Sequence, residues 1–172
     1  MVSALERNGY DYIIMEEGLT RFGAVETIEE GRLYYEFLKE HKGEFDGVVL
    51  SLPNFGDENG AVAALKDANV PVLVQAYPDE KGKMDFAHRR DSLCGKIAMC
   101  NVLRQCGIKY SLTKSATVHP DSCEFDEDLN SFAAVCRVVK KLSSFKWIKE
   151  NAYENGNDIP EIIDITKNYL GN

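Results

Sequence analysis

The sequence lacks the cysteine patterns of disulfide-rich and zinc-binding proteins. Its five cysteines are odd in number and include no CxxC pair. Cys94, Cys100 and Cys106 follow one another at steps of six residues on one predicted helix. Each step turns the side chain by about 120°, so these three thiols cannot bind one metal ion together. We therefore expect reduced, intracellular thiols that pack as small apolar groups.

Signals for export, membrane insertion and nucleic-acid binding are also missing. The first residues have no apolar run of the kind found in secretory signal peptides, and no segment has the composition of a membrane span. The net charge of −8 provides no basic face for nucleic acid or an anionic membrane. These observations predict a cytoplasmic protein. A local basic cluster has two open interpretations, a solvated loop or a contact for a small polar ligand; it comprises Lys81, Lys83, Arg89, Arg90 and Lys96.

Familiar phosphate-binding and catalytic motifs are absent as well. Arg90 and Ile97 stand where a phosphate loop around Lys96 would need glycine and serine or threonine, and no GxGxxG occurs. No Ser-His-Asp or Cys-His arrangement is indicated, and Cys94, near a helix start, is interpreted as a buried structural cysteine. Nothing in the spacing of the histidines and aspartates requires a metal site.

What the sequence does contain is an alternation of helix and strand patterns. Thr27 and Glu30 form a capping box at the start of one helix. Several strand patterns are apolar on nearly every residue, as in strands buried on both faces. The predicted elements are a helix end at 2–8, a strand at 10–15, a helix at 27–41, a strand at 47–52, a helix at 57–69, a strand at 71–77, a helix at 92–106 with apolar spacing at Leu93 and Ile97, a strand at 108–113 and a helix at 124–142.

This order predicts an α/β fold, a flavodoxin-like or Rossmann-like three-layer domain with a mostly parallel sheet. The first strand of such a sheet is missing, because the chain opens on a helix end. We expect the α/β domain to span residues 1–142. Residues 143–172 form a helical carboxyl-terminal extension, with an amphipathic segment at 144–155, a turn at 155–157 and a last helix that ends at Gly171.

Polar residues follow the predicted strands at their carboxyl ends. In open α/β sheets these ends meet at the edge where ligands bind. Asn54 and Asp57 follow one strand, and Tyr77 ends the next. Arg90, Asp91 and Lys96 lie at the start of the following helix, and His119 follows the last strand. A plainer interpretation also holds, since Asn54 and Asp57 can form a turn and a helix cap, and His119 can be a loop histidine.

Five ordered blocks, at 52–58, 71–80, 89–96, 118–122 and 132–139, resemble the amino-terminal domain of the L-fucose/L-arabinose isomerase superfamily, in particular its bacterial L-fucose isomerase-like members. The resemblance covers about residues 2–142. It implies an aldose–ketose isomerase that works through a cis-enediol with a divalent metal, usually Mn²⁺. In such enzymes the metal ligands and acid/base carboxylates lie in later domains, and the first domain contributes sugar contacts, in many members to a neighbouring subunit.

For this chain the resemblance implies a sugar-binding domain that is inactive alone and carries no catalytic residue, metal ligand or cofactor. We expect the partners to be a sugar and either further copies of the chain or a chain with the other isomerase domains. The family's first strand is missing and residues 143–172 do not match, so we expect a fragment. The predicted sugar contacts are Asn54, Asp57, Tyr77, Arg90, Asp91 and Lys96.

An alternative is a non-catalytic small-molecule-binding or assembly module on the same flavodoxin-like fold. In that case the strand-end residues would bind a ligand without chemistry, or the unfinished sheet would pair with a partner. A flavodoxin-like electron carrier is disfavoured, because no loop is rich in the serine, threonine and glycine that hold a flavin phosphate.

Overall fold

In the computed structural model, residues 1–16 and 18–154 are described, with side chains as far as residue 143. The chain divides into two units, Met1–Arg137 and Val138–Asn172. Helices and strands alternate, which confirms the predicted α/β class. The elements are α1 (Val2–Arg7), α2 (Ile28–Glu40), β1 (Val48–Leu52), α3 (Glu58–Leu65), β2 (Val72–Ala76), α4 (Ser92–Gln105), β3 (Ser111–Leu112) and α5 (Cys123–Glu154).

The strands form one parallel sheet in the order β1-β2-β3. Val48 pairs with Val72 at the start of β1, and Leu52 pairs with Ala76 at its end. β2 is buried at every residue. β3 is shorter than the predicted strand at 108–113, but the backbone N–H of Val118 donates to the carbonyl of Ala76 at 2.9 Å and extends the contact along β2. The parallel sheet was thus predicted correctly.

Helices cover both faces of the sheet and create two cores. Val72, Val74 and Ala76 pack against α3 and α4, in a cluster with Ala61, Ala64, Leu65, Met99 and Leu103. Leu73 points to the opposite face, where it packs with α1 and α5 residues that include Ala4, Phe125, Leu129, Phe132 and Cys136. Because side chains alternate along a strand, one central strand supplies both cores. The three-layer arrangement is confirmed.

The predicted strand at 10–15 is wrong. Within the described ranges the sheet has three strands, and residues 10–15 pair with none of them. Tyr12 is 42% exposed and Ile14 is 58% exposed. An apolar, β-branched run predicts an extended chain, but a strand also needs a neighbour to bond, and sequence alone does not supply one.

The side of α4 that was predicted to be buried is exposed. Leu93 and Ile97 are 40% and 65% exposed, whereas Gly95 and Met99 lie on the buried side with Ser92, Lys96 and Leu103. A Cβ on Gly95 would collide with the carbonyl oxygen of Phe55 in the loop after β1. The close approach that glycine permits therefore fixes which side of α4 meets the sheet.

The cysteines are less buried than predicted. All five are free thiols; Cys136 is buried and Cys100 is half-buried, while Cys94, Cys106 and Cys123 are exposed. The expectation of packed thiols is thus wrong for these three, Cys94 included. The rotation of α4 explains Cys94, since it places this residue beside exposed Leu93 rather than on the core side.

α5 continues past its predicted end at Leu142 and reaches Glu154, so the separate segment predicted at 144–155 belongs to this helix through residue 154. The predicted turn at 155–157 and the last helix lie outside the described residues. Across the described part of the chain, no helix is both long and apolar enough to cross a membrane.

Two glycines bring α2 and α3 into close contact. The predicted cap of α2 is confirmed, because the Thr27 hydroxyl accepts a hydrogen bond from the backbone N–H of Glu30 at 3.2 Å. Next to it, a Cβ on Gly31 would collide with the carbonyl oxygen of Gly60 in α3. Small residues at this crossing therefore let the two helices pack backbone to backbone.

We expect Gly31→Ala to lower the free energy of unfolding by about 1–3 kcal/mol, the usual cost of overpacking. In a helix without this contact, the same change would stabilise the helix by about 1 kcal/mol. The sign of the change in unfolding free energy therefore tests the contact between Gly31 and Gly60. Urea unfolding measures it. The exposed α2 variant Glu36→Ala should change stability by less than about 0.5 kcal/mol, and a Gly31→Ala protein as stable as the wild type would contradict the packing.

α1 is fastened to α5 by an ion pair. A guanidinium nitrogen of Arg7 lies 2.6 Å from Oδ1 of Asp126, and Nδ2 of Asn8 donates to the same oxygen at 2.7 Å. The Arg7 guanidinium lowers the pKa of the Asp126 carboxyl below its usual value, and the Asn8 amide adds to the effect. The ionised carboxylate therefore stabilises the folded chain.

The pKa of the Asp126 carboxyl is lower in the folded chain than in the unfolded chain, where it is about 3.9. The carboxylate therefore stabilises the fold at any pH above the unfolded-state pKa, and this stability is lost as the pH falls through the folded-state pKa. We expect Asp126→Asn to lower the urea midpoint at pH 6. The gap from the wild type should narrow between pH 5 and pH 3. A gap that is constant across this range would show that the Asp126 carboxylate does not act through its charge.

Candidate functional site

An open groove of about 1470 Å³ runs along β1 on the side away from β2. Its walls include Gly47 before the strand and Asn54 after it. We call it the β1 groove. Five of the six residues predicted to contact a sugar line its carboxyl-end part: Asn54, Asp57, Tyr77, Arg90 and Asp91. The structure thus brings these five together; Lys96 does not line the groove.

Arg90 joins the loops that meet at this end. Its guanidinium donates to the carbonyl of Pro53 after β1 at 3.1 Å and to the Glu80 carboxylate after β2 at 2.9 Å. It also lies 5.5 Å from the ring centroid of Tyr77. The backbone N–H of Arg90 donates to Asp79 at 2.7 Å. One residue therefore holds the strand-end loops and the entrance of α4 as a single rim, the Arg90 rim.

The two aspartates of the rim have different local roles. Asp57 caps α3, with Oδ2 accepting from the backbone N–H of Gly60 at 2.6 Å, so the helix-cap interpretation holds for it. Asp91 precedes α4 with a left-handed backbone, φ 54°. Its carboxylate pairs with Arg89 at 2.8 Å instead of capping the helix. A carboxylate can accept several hydrogen bonds, so each can also accept one from a ligand.

Tyr77 and His119 form the side of the rim next to the last strand. Their rings meet edge to face with centroids 5.3 Å apart. Burial raises the pKa of the Tyr77 phenol, which stays protonated and able to donate. Nδ1 of His119 accepts from the backbone N–H of Asp121 at 3.2 Å, a local bond of the loop-histidine kind.

Lys96 lies apart from the rim. It is 5% exposed, and its ammonium donates to the Thr113 hydroxyl at 2.7 Å and to the carbonyl of Ala116 at 2.9 Å. Burial lowers the pKa of this ammonium. These contacts tie α4 to the end of β3, which is a positioning role.

A buried polar residue that joins two strands and a loop was not predicted from the sequence. Gln75 is fully buried in β2, where its Oε1 accepts from the Ser51 hydroxyl at 2.7 Å and its Nε2 donates to the carbonyl of Val118 at 2.6 Å. It therefore fixes β1, β2 and the 118 loop relative to one another. A lone glutamine in an otherwise apolar strand was the available signal, because a buried amide requires partners. The contacts of Arg90 with Asp79 and Glu80 were also not predicted, because no spacing rule in the sequence identifies such partners.

The described residues do not fit a metal centre. Among residues 1–16 and 18–143, no group of three or more histidine, cysteine or acidic side chains is placed to hold an ion. The Mn²⁺ implied by the resemblance therefore has no ligand set in this part of the chain, and we assign no metal-dependent step to these residues.

Replacing Arg90 with lysine should loosen the rim, because an ammonium cannot bond both Pro53 and Glu80 with the fork geometry of a guanidinium. Loss of about 1 kcal/mol of hydrogen bonding corresponds to roughly fivefold faster local opening. Hydrogen exchange of residues 54–58 and 77–80 measures this. Arg89→Lys is the matched control, since the Arg89 side chain contacts Asp91 and Phe86 and, among the described residues, neither Pro53 nor Glu80. Equal exchange in the two variants would contradict the role given to Arg90.

Comparison with known proteins places the chain in a family. The model of the family described as fucose/sulfoquinovose isomerase, N-terminal domain, matches residues 1–143. No curated protein and no solved structure matches the sequence significantly. Because the family match covers most of the chain and coincides with the α/β fold, this chain belongs to the fucose/sulfoquinovose isomerase N-terminal domain family.

Proposed function

We propose that the chain is the sugar-binding amino-terminal domain of an aldose–ketose isomerase of carbohydrate metabolism. The observation that carries the proposal is the Arg90 rim, where the loops after two parallel strands meet in a groove of a chain that belongs to this family. Guanidinium, carboxylate, amide and phenol groups together donate to and accept from sugar hydroxyls.

The rim residues have complementary roles toward a sugar. The side chains of Asn54 and Tyr77 can both donate and accept hydrogen bonds, whereas the carboxylates of Asp57 and Asp91 accept them. Arg90 can donate through the guanidinium N–H groups that are not bonded to Pro53 or Glu80. Since Glu80 already neutralises Arg90, the rim suits an uncharged sugar better than a sulfonated one. A sugar contact from Lys96 would require its ammonium to leave Thr113 and Ala116, so we assign binding to the other five residues.

Isomerisation on this proposal needs the other domains of the enzyme, either in further copies of a longer chain or in a partner chain, and those domains hold the Mn²⁺. Three exposed free cysteines support a reducing compartment such as the cytoplasm. The chain by itself then binds sugar without converting it.

Sugar binding is tested by titrating L-fucose and L-arabinose into the protein and following rim resonances by NMR. We expect Asn54→Ala to weaken binding about fivefold, since one hydrogen bond is worth about 1 kcal/mol. The control is Asn59→Ala, an exposed asparagine of α3 outside the β1 groove. If neither sugar shifts the rim resonances of the wild type, the proposal is wrong.

Catalysis is tested separately. The chain is incubated with each sugar and Mn²⁺, and ketose formation is measured against a metal-free sample. We expect no turnover above the uncatalysed rate. Sustained turnover would overturn the dependence on other domains while leaving sugar binding intact.

A further inference from the structure

A second cavity lies on the outer face of α3, between α2 and the end of α4. Its volume is about 310 Å³, and it shares no lining residue with the β1 groove. The opposite face of α3 packs into the core through Ala61, Ala64 and Leu65. The floor residues follow one another at steps of three and four, the spacing of one helix face: Asn59, Val62, Ala63 and Lys66. We call this space the α3 cavity.

Two cations and no carboxylate line the α3 cavity. Arg32 of α2 and Lys66 at the end of α3 are both exposed, and within the described chain neither forms an ion pair. The acidic residue next to Tyr35, Glu36, is paired with Lys39 at 3.2 Å. The chain has 28 acidic and 20 basic side chains, so a cavity with positive charge alone departs from its acidic balance. The α3 cavity is therefore suited to an anion.

Tyr35 holds the Lys66 side chain without removing its charge. Nζ of Lys66 lies 4.8 Å from the centroid of the Tyr35 ring. Because an aromatic ring attracts a cation but carries no net charge, the ammonium keeps its charge and its N–H groups for an acceptor. Arg32 lies one helical turn before Tyr35, and a guanidinium can bond two phosphate oxygens at once. Two cations on one cavity suit the dianion of a phosphomonoester better than a single carboxylate.

The rest of the lining is mostly aliphatic. Asn59 adds an amide, which leaves few partners for a molecule rich in hydroxyl groups and favours a ligand with apolar surface. The volume is at the lower end of the roughly 300–1,000 Å³ typical of small-molecule sites, so the ligand is small. The aliphatic side chains come from all three helices: Ile28, Val62, Ala63 and Val102.

We infer that the α3 cavity is a binding site for a small phosphomonoester whose organic part is aromatic or apolar. Arg32 and Lys66 bind the phosphate, and the organic part lies over Val62 and Ala63. The site is separate from the Arg90 rim, and the inference does not rest on sugar binding.

The test uses phenyl phosphate as the probe, and the cysteines of the chain report where it binds. Cys106 lines the α3 cavity, whereas the exposed thiols of Cys94 and Cys123 lie outside it. Alkylation of each thiol by iodoacetamide is followed by peptide mass spectrometry. We expect excess phenyl phosphate to slow alkylation of Cys106 about fivefold, because a bound molecule covers the thiol, and to leave Cys94 and Cys123 unchanged. An unchanged rate at Cys106 would overturn the proposal.

A comparison of probes tests the two parts of the ligand. The concentration that gives half-maximal protection of Cys106 measures the affinity of each. Inorganic phosphate and glucose 6-phosphate lack the apolar surface and should bind about fivefold more weakly than phenyl phosphate. Phenol lacks the phosphate and should not protect. Equal affinity for inorganic phosphate, or protection by phenol, would overturn the proposal.

Three variants locate the phosphate. Arg32→Gln and Lys66→Gln should each weaken phenyl phosphate binding about fivefold, through loss of one charged contact. Arg104→Gln is the matched control, because it removes the same charge from an exposed arginine of α4 that does not line the cavity, and it should bind as the wild type does. Equal weakening in all three variants would show attraction by net charge only and overturn the site. Circular dichroism checks folding, and the wild-type protection decides the question should a variant fail to fold.

The proposed function fails in a different way. Protection of Cys106 by phenyl phosphate, without any shift of the rim resonances by L-fucose or L-arabinose, would support the α3 cavity and reject only sugar binding at the Arg90 rim. Sugar binding without protection of Cys106 would do the reverse.

Discussion

The structure depends on the complete burial of β2. Its apolar residues pack into both cores, with Val72, Val74 and Ala76 on the α3–α4 face and Leu73 on the α1–α5 face. A strand buried in this way tolerates a polar side chain only if its polar atoms find hydrogen-bond partners. Gln75 meets that condition by bonding β1 through Ser51 and the 118 loop through Val118. The same residue thus sets the spacing of the strand ends from which the site is built.

The Arg90 rim is a consequence of that arrangement. Parallel pairing of β1 and β2 ends both strands at one edge, so the loops after them emerge side by side. Gly95 then lets α4 approach the loop after β1 at backbone distance, which brings Arg90 within reach of Pro53 and Glu80. The rim is therefore held by contacts between loops that the paired strands bring to one edge of the sheet.

The β1 groove follows from where the sheet stops. β1 is half-buried along most of its length, whereas its neighbour β2 is buried throughout. The difference arises because helices from both layers extend past β1 over a space that holds no strand of the described chain. The residues of the Arg90 rim line the part of this groove that lies at the carboxyl end of β1.

The sequence by itself determined the α/β class, the parallel sheet, the cap at Thr27 and the set of polar residues at the strand ends. These are local properties, which follow from apolar periodicity, capping chemistry and the order of elements along the chain. Only the tertiary structure decided that residues 10–15 pair with no strand, that α4 turns Lys96 inward and Ile97 outward, and that Arg90 rather than Lys96 joins the rim. The physical reason is the same in each case. A strand needs a partner edge, and a helix face is chosen by what it packs against, and both are supplied by residues distant in the sequence.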